Sequence, residues 1–223
     1  MKVSKIFIFL GLLLSHSVSA MKTIDADPYL RETEQKQINQ VQEWINMQNW
    51  QKVFELLYPL ATAGNLQAQS NLAVMYNIGK GVAQNKEKAY WWFSEAAEQG
   101  HIKAINNLAV MYLNGEYVKQ DISQAIKLLE KTANANNQEA MLILGEIFFR
   151  QKEYRKSFDW FKKSATLGNV EGKFRLGLLY EEGKGVSINK DKAIKLYREI
   201  LASNIEQSMK QRVFERLSQL EGN

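Results

Sequence analysis

The hexapeptide Asn71-Leu72-Ala73-Val74-Met75-Tyr76 returns unchanged, 36 residues later, as Asn107-Leu108-Ala109-Val110-Met111-Tyr112. A period in this range builds a chain from stacked supersecondary units, each burying its apolar face against the next, and argues against one closed core. Two diverged copies follow in phase, Leu144-Gly145-Glu146-Ile147-Phe148 and Leu176-Gly177-Leu178-Leu179-Tyr180. Each copy places leucine first, a small residue directly after it and an aromatic four positions on, which is one face of a helix.

The N-terminal 20 residues stand apart from the repeats. Lys2 and Lys5 precede an apolar run over 6–14, and Val18-Ser19-Ala20 supplies small residues at a cleavage position. This is the pattern of a secretory signal peptide, and nine apolar residues fall well short of the about 20 that span a bilayer. The expectation is export through the secretory pathway to the periplasm or exterior of a bacterium, with no stable membrane insertion after cleavage. The chain has no cysteine. Lipid attachment at a processed cysteine is therefore excluded, as are disulfides and thiolate metal sites, and packing alone must hold the fold. Lys2 and Lys5 account for two of the five net positive charges, leaving +3 on the other 203 residues. With lysines interspersed among Glu and Asp, that surplus is a solvated surface and predicts no nucleic-acid partner.

Residues 21–49 form an N-terminal helical segment. Asp27 is set to cap a helix opened by Pro28, and Leu30, Ile38, Val41, Trp44 and Ile45 form its apolar stripe. A second helix is predicted from Trp50 to Thr62, with Pro59 bending it or ending it early. The full units cover about 65–100, 101–136, 137–168 and 169–204. In each, a first helix leads through a turn into a second helix: Gly79-Lys80-Gly81-Val82, Gly115-Glu116-Tyr117-Val118 and Gly183-Lys184-Gly185-Val186 are the long turns. Asn85 is placed to cap the helix after the first of these, and Asp121 with Gln124 makes a variant capping box after the second. If the second glycine is needed for positive φ, Tyr117 requires that turn to be built differently. The third unit lacks four residues, so Arg150 to Tyr154 should make a tight helix hairpin.

The second helices carry a small residue at Ala89, Ala125, Ser157 and Ala193, with Trp92, Leu128, Trp160 and Leu196 three positions on to fill the gap between pairs. Gly64, Gly100, Asn136, Gly168 and Asn204 are expected to end helices in the left-handed conformation. Residues 205–223 are expected to form a capping helix, with Met209, Val213, Leu217 and Leu220 along one side.

These features together resemble the Sel-one-like repeat family, relatives of tetratricopeptide repeats. The first full unit carries the match through Ala68, Leu72-Ala73, Tyr76, Gly79-Lys80-Gly81-Val82, Ala89, Trp92-Phe93, Ala96-Ala97 and Gly100, and residues 50–64 look like the half repeat that opens such arrays. The resemblance implies an all-α fold, a right-handed α-solenoid of stacked antiparallel helix pairs, that binds a partner protein in a concave groove lined by the first helices. Positions two before, two after and five after the repeat leucine are then the expected groove residues: Ser70, Val74, Asn77, Asn106, Val110, Leu113, Leu142, Glu146, Phe149, Phe174, Leu178 and Glu181.

No catalytic constellation stands out. His101, the one histidine beyond the leader, has no cysteine or second histidine to work with and reads as a surface residue at a turn. The Gly-Lys-Gly-Val turns lack phosphate-loop spacing and lie between helices. Glu95 with Glu98 and Glu181 with Glu182 sit on lysine-rich helices and read as charged faces. No catalytic residue, cofactor or metal is expected, and the function expected is that of an adaptor, scaffold or inhibitor of the immunity type. Trp91 and Tyr117 leave open an alternative, recognition of a cell-wall or capsular polysaccharide by exposed aromatic rings.

Overall fold

The computed structural model describes residues 41 and 43–222, so the leader and the Asp27-Pro28 helix start lie outside the described residues. Ten helices follow the short helical stretch over 43–46: α1 (Trp50–Thr62), α2 (Leu66–Ile78), α3 (Lys86–Glu98), α4 (Ile102–Asn114), α5 (Ile122–Ala133), α6 (Gln138–Arg150), α7 (Tyr154–Thr166), α8 (Val170–Glu182), α9 (Lys190–Leu201) and α10 (Gln207–Glu221). There are no strands among the described residues. The chain divides into two compact units, one through Ala125 and one from Ile126, with the division inside α5.

Asparagine sets most of the helix starts. Asn49, Asn65, Asn85, Asn137, Asn169 and Asn189 each accept a backbone N–H three residues on, at 2.8–3.3 Å. Asp121 does the same for α5, accepting from Gln124 at 2.9 Å. An orphan donor satisfied in this way is worth about 1 kcal/mol. At the other ends, Gly64, Gly100, Asn136 and Gly168 take left-handed φ, whereas Asn204 does not, because α9 closes on Ala202 in right-handed geometry. Pro59 neither ends nor shortens α1. It removes one N–H close to the C-terminal end, and its carbonyl still accepts from Ala63 N–H and the Thr62 hydroxyl.

Within the unit through Ala125, α1 packs on α2, α2 on α3, and α3 on α4. Val53, Leu72, Met75, Phe93, Ile105 and Met111 are fully buried there. In the unit from Ile126, α6 packs on α7, α7 on α8, α8 on α9, and α9 on α10. Phe158, Phe161, Leu176 and Leu179 form one cluster, and Phe174, Tyr197, Ile200, Val213 and Leu217 the next. The small residues Ala89, Ala125, Ser157 and Ala193 are all fully buried. The largest contribution to the interior comes four positions after them, from Phe93, Leu129, Phe161 and Tyr197, while Leu128, Trp160 and Leu196, one residue earlier, are only half-buried. Trp92 is buried as expected, and in the other three units the sequence pattern had placed the filling residue one position too early.

Each long turn fastens onto the helix start about 30 residues behind it. Lys80 Nζ lies 3.6 Å above the Trp50 ring, and Lys184 Nζ lies 5.5 Å from Tyr154 and 4.8 Å from Phe149. The middle turn exchanges the chemistry: Glu116 takes the place of the lysine and pairs with Lys86 at 2.5 Å. Gly81 and Gly185 (both φ +73) press so close that a Cβ would strike the carbonyls of Trp50 and Tyr154. Tyr117 occupies the same position with φ +66. The turn is therefore not rebuilt around it, as the sequence had suggested. The tyrosine adopts the glycine conformation, at a cost of about 1–2 kcal/mol for an L-residue.

Candidate interaction surface

The first helix of each repeat turns its small and apolar residues inward, and what remains outside is a narrow stripe. On α2 the stripe is Gln67, Asn71, Val74 and Ile78; on α4 it is Lys103, Asn107, Val110 and Asn114. The 4-3-4 spacing is that of a single helix face. In the unit from Ile126 the same positions are Glu139, Ile143, Glu146 and Arg150 on α6, and Glu171, Arg175, Leu178 and Glu182 on α8.

The α2 stripe carries an ordered polar chain. His101 Nδ1 accepts from Ala104 N–H at 3.3 Å as the N-cap of α4, which leaves the proton on Nε2 to be donated to Gln67 Oε1 at 3.3 Å. Gln67 in turn donates to Asn71 Oδ1 at 3.1 Å, and the Asn71 amide nitrogen is buried without a partner. Burial, and then the neighbouring Lys103 charge, hold the His101 pKa below its ordinary value of 6.5. His101 thus does the work that asparagine does at three of the other first helices.

The α6 and α8 stripes are joined by charge. Glu146 faces Arg150 at 3.5 Å and Arg175 at 3.6 Å, and Arg175 also meets Glu171 at 2.8 Å. Arg212 of α10 then grips Glu171 at 3.1 and 3.3 Å while its guanidinium covers the Phe174 ring at 4.3 Å. Burial alone would raise the Glu171 pKa, but the hydrogen bonds and charges of Arg212 and Arg175 outweigh it, so the carboxyl titrates below its usual range. Glu181 receives both the Tyr197 hydroxyl and the Arg216 guanidinium. Burial, followed by this carboxylate, drives the Tyr197 pKa far upward.

The Sel1 repeat pattern matches residues 66–101, 102–137, 138–169 and 170–201, more than half of the chain. This chain belongs to the Sel1 repeat family. A protective antigen of uropathogenic Escherichia coli with an SLR fold is 28% identical, with a TM-score of 0.67 over 76% of this chain and 37% of its own. A Sel1 repeat protein from Oxalobacter formigenes is 22% identical, with a TM-score of 0.71 over 82% of this chain and 74% of that one. Among curated proteins, the DAP3-binding cell death enhancer 1 of Rattus norvegicus is 32% identical over 81 residues, 35% of this chain. The match spans only 16% of that relative's length.

As a Sel1 repeat protein, the chain is an α-solenoid built from helix pairs, of a family that binds protein partners. Its own burial pattern separates the twelve expected groove residues into two sets. Ser70, Asn77, Asn106 and Phe174 are buried, and Phe174, 5% exposed, packs against Tyr197 and beneath Arg212. These four are interior residues. The offsets of two before and five after the repeat leucine point into the neighbouring helices on α2. Val74, Val110, Leu113, Leu142, Glu146, Phe149, Leu178 and Glu181 remain half-buried, although Leu142 and Phe149 also pack on the Phe158–Leu179 cluster, Leu178 on the Phe174–Leu217 cluster, and Glu146 and Glu181 are taken up by arginine. Sequence reasoning missed Gln67, Asn71, Lys103, Asn107, Ile143 and Arg175. Offsets of five and one before the leucine would have found them, since these continue the face of Val74 and Val110.

Among the described residues, no three His, Cys, Asp or Glu side chains come together to hold a metal ion. No helix among them is long and apolar enough to cross a membrane.

Proposed function

We propose that this Sel1 repeat protein is exported to the bacterial periplasm and binds a partner protein along the outward stripes of its first helices, as an adaptor, scaffold or immunity-type inhibitor. The observation that carries the proposal is the stripe itself. Asn71, Val74, Ile78, Asn107 and Val110 alternate amide and aliphatic groups along α2 and α4. Such a face offers a partner both hydrogen-bonding groups and apolar area. Val74, Val110 and Leu178 are the groove residues from which contact is expected, with Glu146 and Arg175 setting register by charge.

The test is affinity isolation from cell envelopes with wild-type protein and with Val110→Asp, which places a charge in the stripe without touching the core. The wild type retains a protein partner and Val110→Asp loses it at unchanged helical circular dichroism. Equal recovery by both would remove the stripe from the interface. Sequencing of the envelope-derived protein is expected to begin at Met21, and an N-terminus at Met1 would contradict export with cleavage.

A further inference from the structure

Tyr117 is the one non-glycine residue in the three long turns that takes a left-handed φ. Its sister positions are Gly81 and Gly185, both at φ +73, and glycine takes φ +66 freely. Yet the tyrosine ring stays 55% exposed. A strained residue at the surface invites a role in recognition. Its surroundings specify the chemistry. The ring leans on Tyr90 at 5.6 Å, and its hydroxyl donates to Glu87 Oε1 at 3.3 Å. One helical turn past Glu87, on the same face of α3, stands Trp91, 51% exposed, with Trp92 behind it at 4.5 Å. Glu87 therefore lies between two exposed aromatic rings.

Among the described residues that carboxylate has no cationic partner. Lys86, beside it in sequence, is committed to Glu116 and to the Asn77 side chain at 2.6 Å, and Glu87 itself receives only the Tyr117 hydroxyl. Ring faces attract cations through their quadrupole, and an unpaired carboxylate adds a full charge at the same spot. A planar guanidinium can lie on a ring and direct N–H groups at the carboxylate together. We infer that Glu87, Trp91 and Tyr117 form a seat for a basic side chain, an arginine above all, presented by a polypeptide partner. The seat lies on α3 and on the long turn between α4 and α5, not on the first-helix stripes, so it stands or falls separately from the function proposed above.

The full chain is titrated with a hexa-arginine peptide while tryptophan emission is followed, with hexa-glutamate and a neutral chitin hexasaccharide as competing probes. The chain carries net charge +5, so bulk electrostatics repel the cationic peptide and a saturable signal reports a local seat. The expected result is saturation by hexa-arginine alone, loss of the signal in Trp91→Phe, and binding weakened about tenfold in Glu87→Gln. Tyr117→Gly restores the sister turn. It is expected to melt no lower than the parent while binding hexa-arginine about as poorly as Glu87→Gln does. Saturation by the hexasaccharide instead would overturn the inference in favour of a glycan site. Unchanged hexa-arginine binding in Glu87→Gln, or a lower melting temperature with unchanged binding in Tyr117→Gly, would overturn it in favour of a structural brace.

Discussion

Replacing Gly145 by alanine puts two effects of known size in opposition. In the middle of α6, alanine gains about 0.8–1.0 kcal/mol over glycine in helix propensity. An alanine Cβ at this site would stand 2.5, 2.6 and 2.8 Å from three carbons of the Phe161 ring. That ring is fully buried and wedged against Leu176 and Leu179, so it has nowhere to retreat. Overpacking of this kind costs about 1–3 kcal/mol, and three atoms in hard contact place it in the upper half. The net expectation is a loss of about 1–2 kcal/mol, which lowers the melting temperature by about 2–8 °C. Thermal unfolding by circular dichroism reads it directly. Phe161→Leu in the same chain should recover part of the loss, so the pair is less than additive. A Gly145→Ala protein melting at or above the wild type would refute the close approach of α6 and α7, because propensity alone would then have decided the outcome.

Protonation of His101 removes the Nδ1 acceptor that caps α4. Because its folded pKa lies below 6.5, its contribution is present above that value and is lost as pH falls through the folded pKa. His101→Asn, the residue used at the other first-helix caps, should show a smaller fall in urea-unfolding stability between about pH 8 and 5. A wild type that gained stability relative to the variant on acidification would reverse the assignment. Phe174→Ala should cost about 3–5 kcal/mol as a core truncation, and a loss of partner binding at unchanged stability would return this residue to the groove. Removing residues 205–223 uncovers the cluster around Tyr197 and Ile200, and aggregation at room temperature is expected. A monomeric truncation melting with the full chain would make α10 a tail.

The repeat made the elements easy to read. Leucine, small residue and aromatic recur in phase, asparagine or aspartate precedes seven of the ten helices, and the four-residue deletion between Phe149 and Tyr154 gives the tight α6–α7 hairpin. What stayed hidden depends on pairs of residues far apart in sequence. Tyr117 keeps the glycine conformation because the turn is held by Lys86 and Glu116 and by the ring contact with Tyr90, none of which periodicity displays. Phe174 was placed in the groove by counting from Leu176, yet α10 and Tyr197 close over it. Its Arg212 cover comes from a helix 38 residues on. In the third unit the buried partner was missed by one position, since Trp160 and Phe161 are both bulky and the facing Gly145, against which the Phe161 ring packs, decides between them.

The central claim, that the outward stripes of the first helices hold a protein partner, is tested most directly by site-specific photo-crosslinking in the living cell. A photoreactive residue placed singly at Val74, Val110 or Leu178 is compared with the same residue at Lys127 or Lys162 on the second helices. The expected result is a discrete protein adduct from the stripe positions and none from Lys127 or Lys162. Adducts arising only from the second helices, or the absence of a protein adduct from every stripe position, would contradict it.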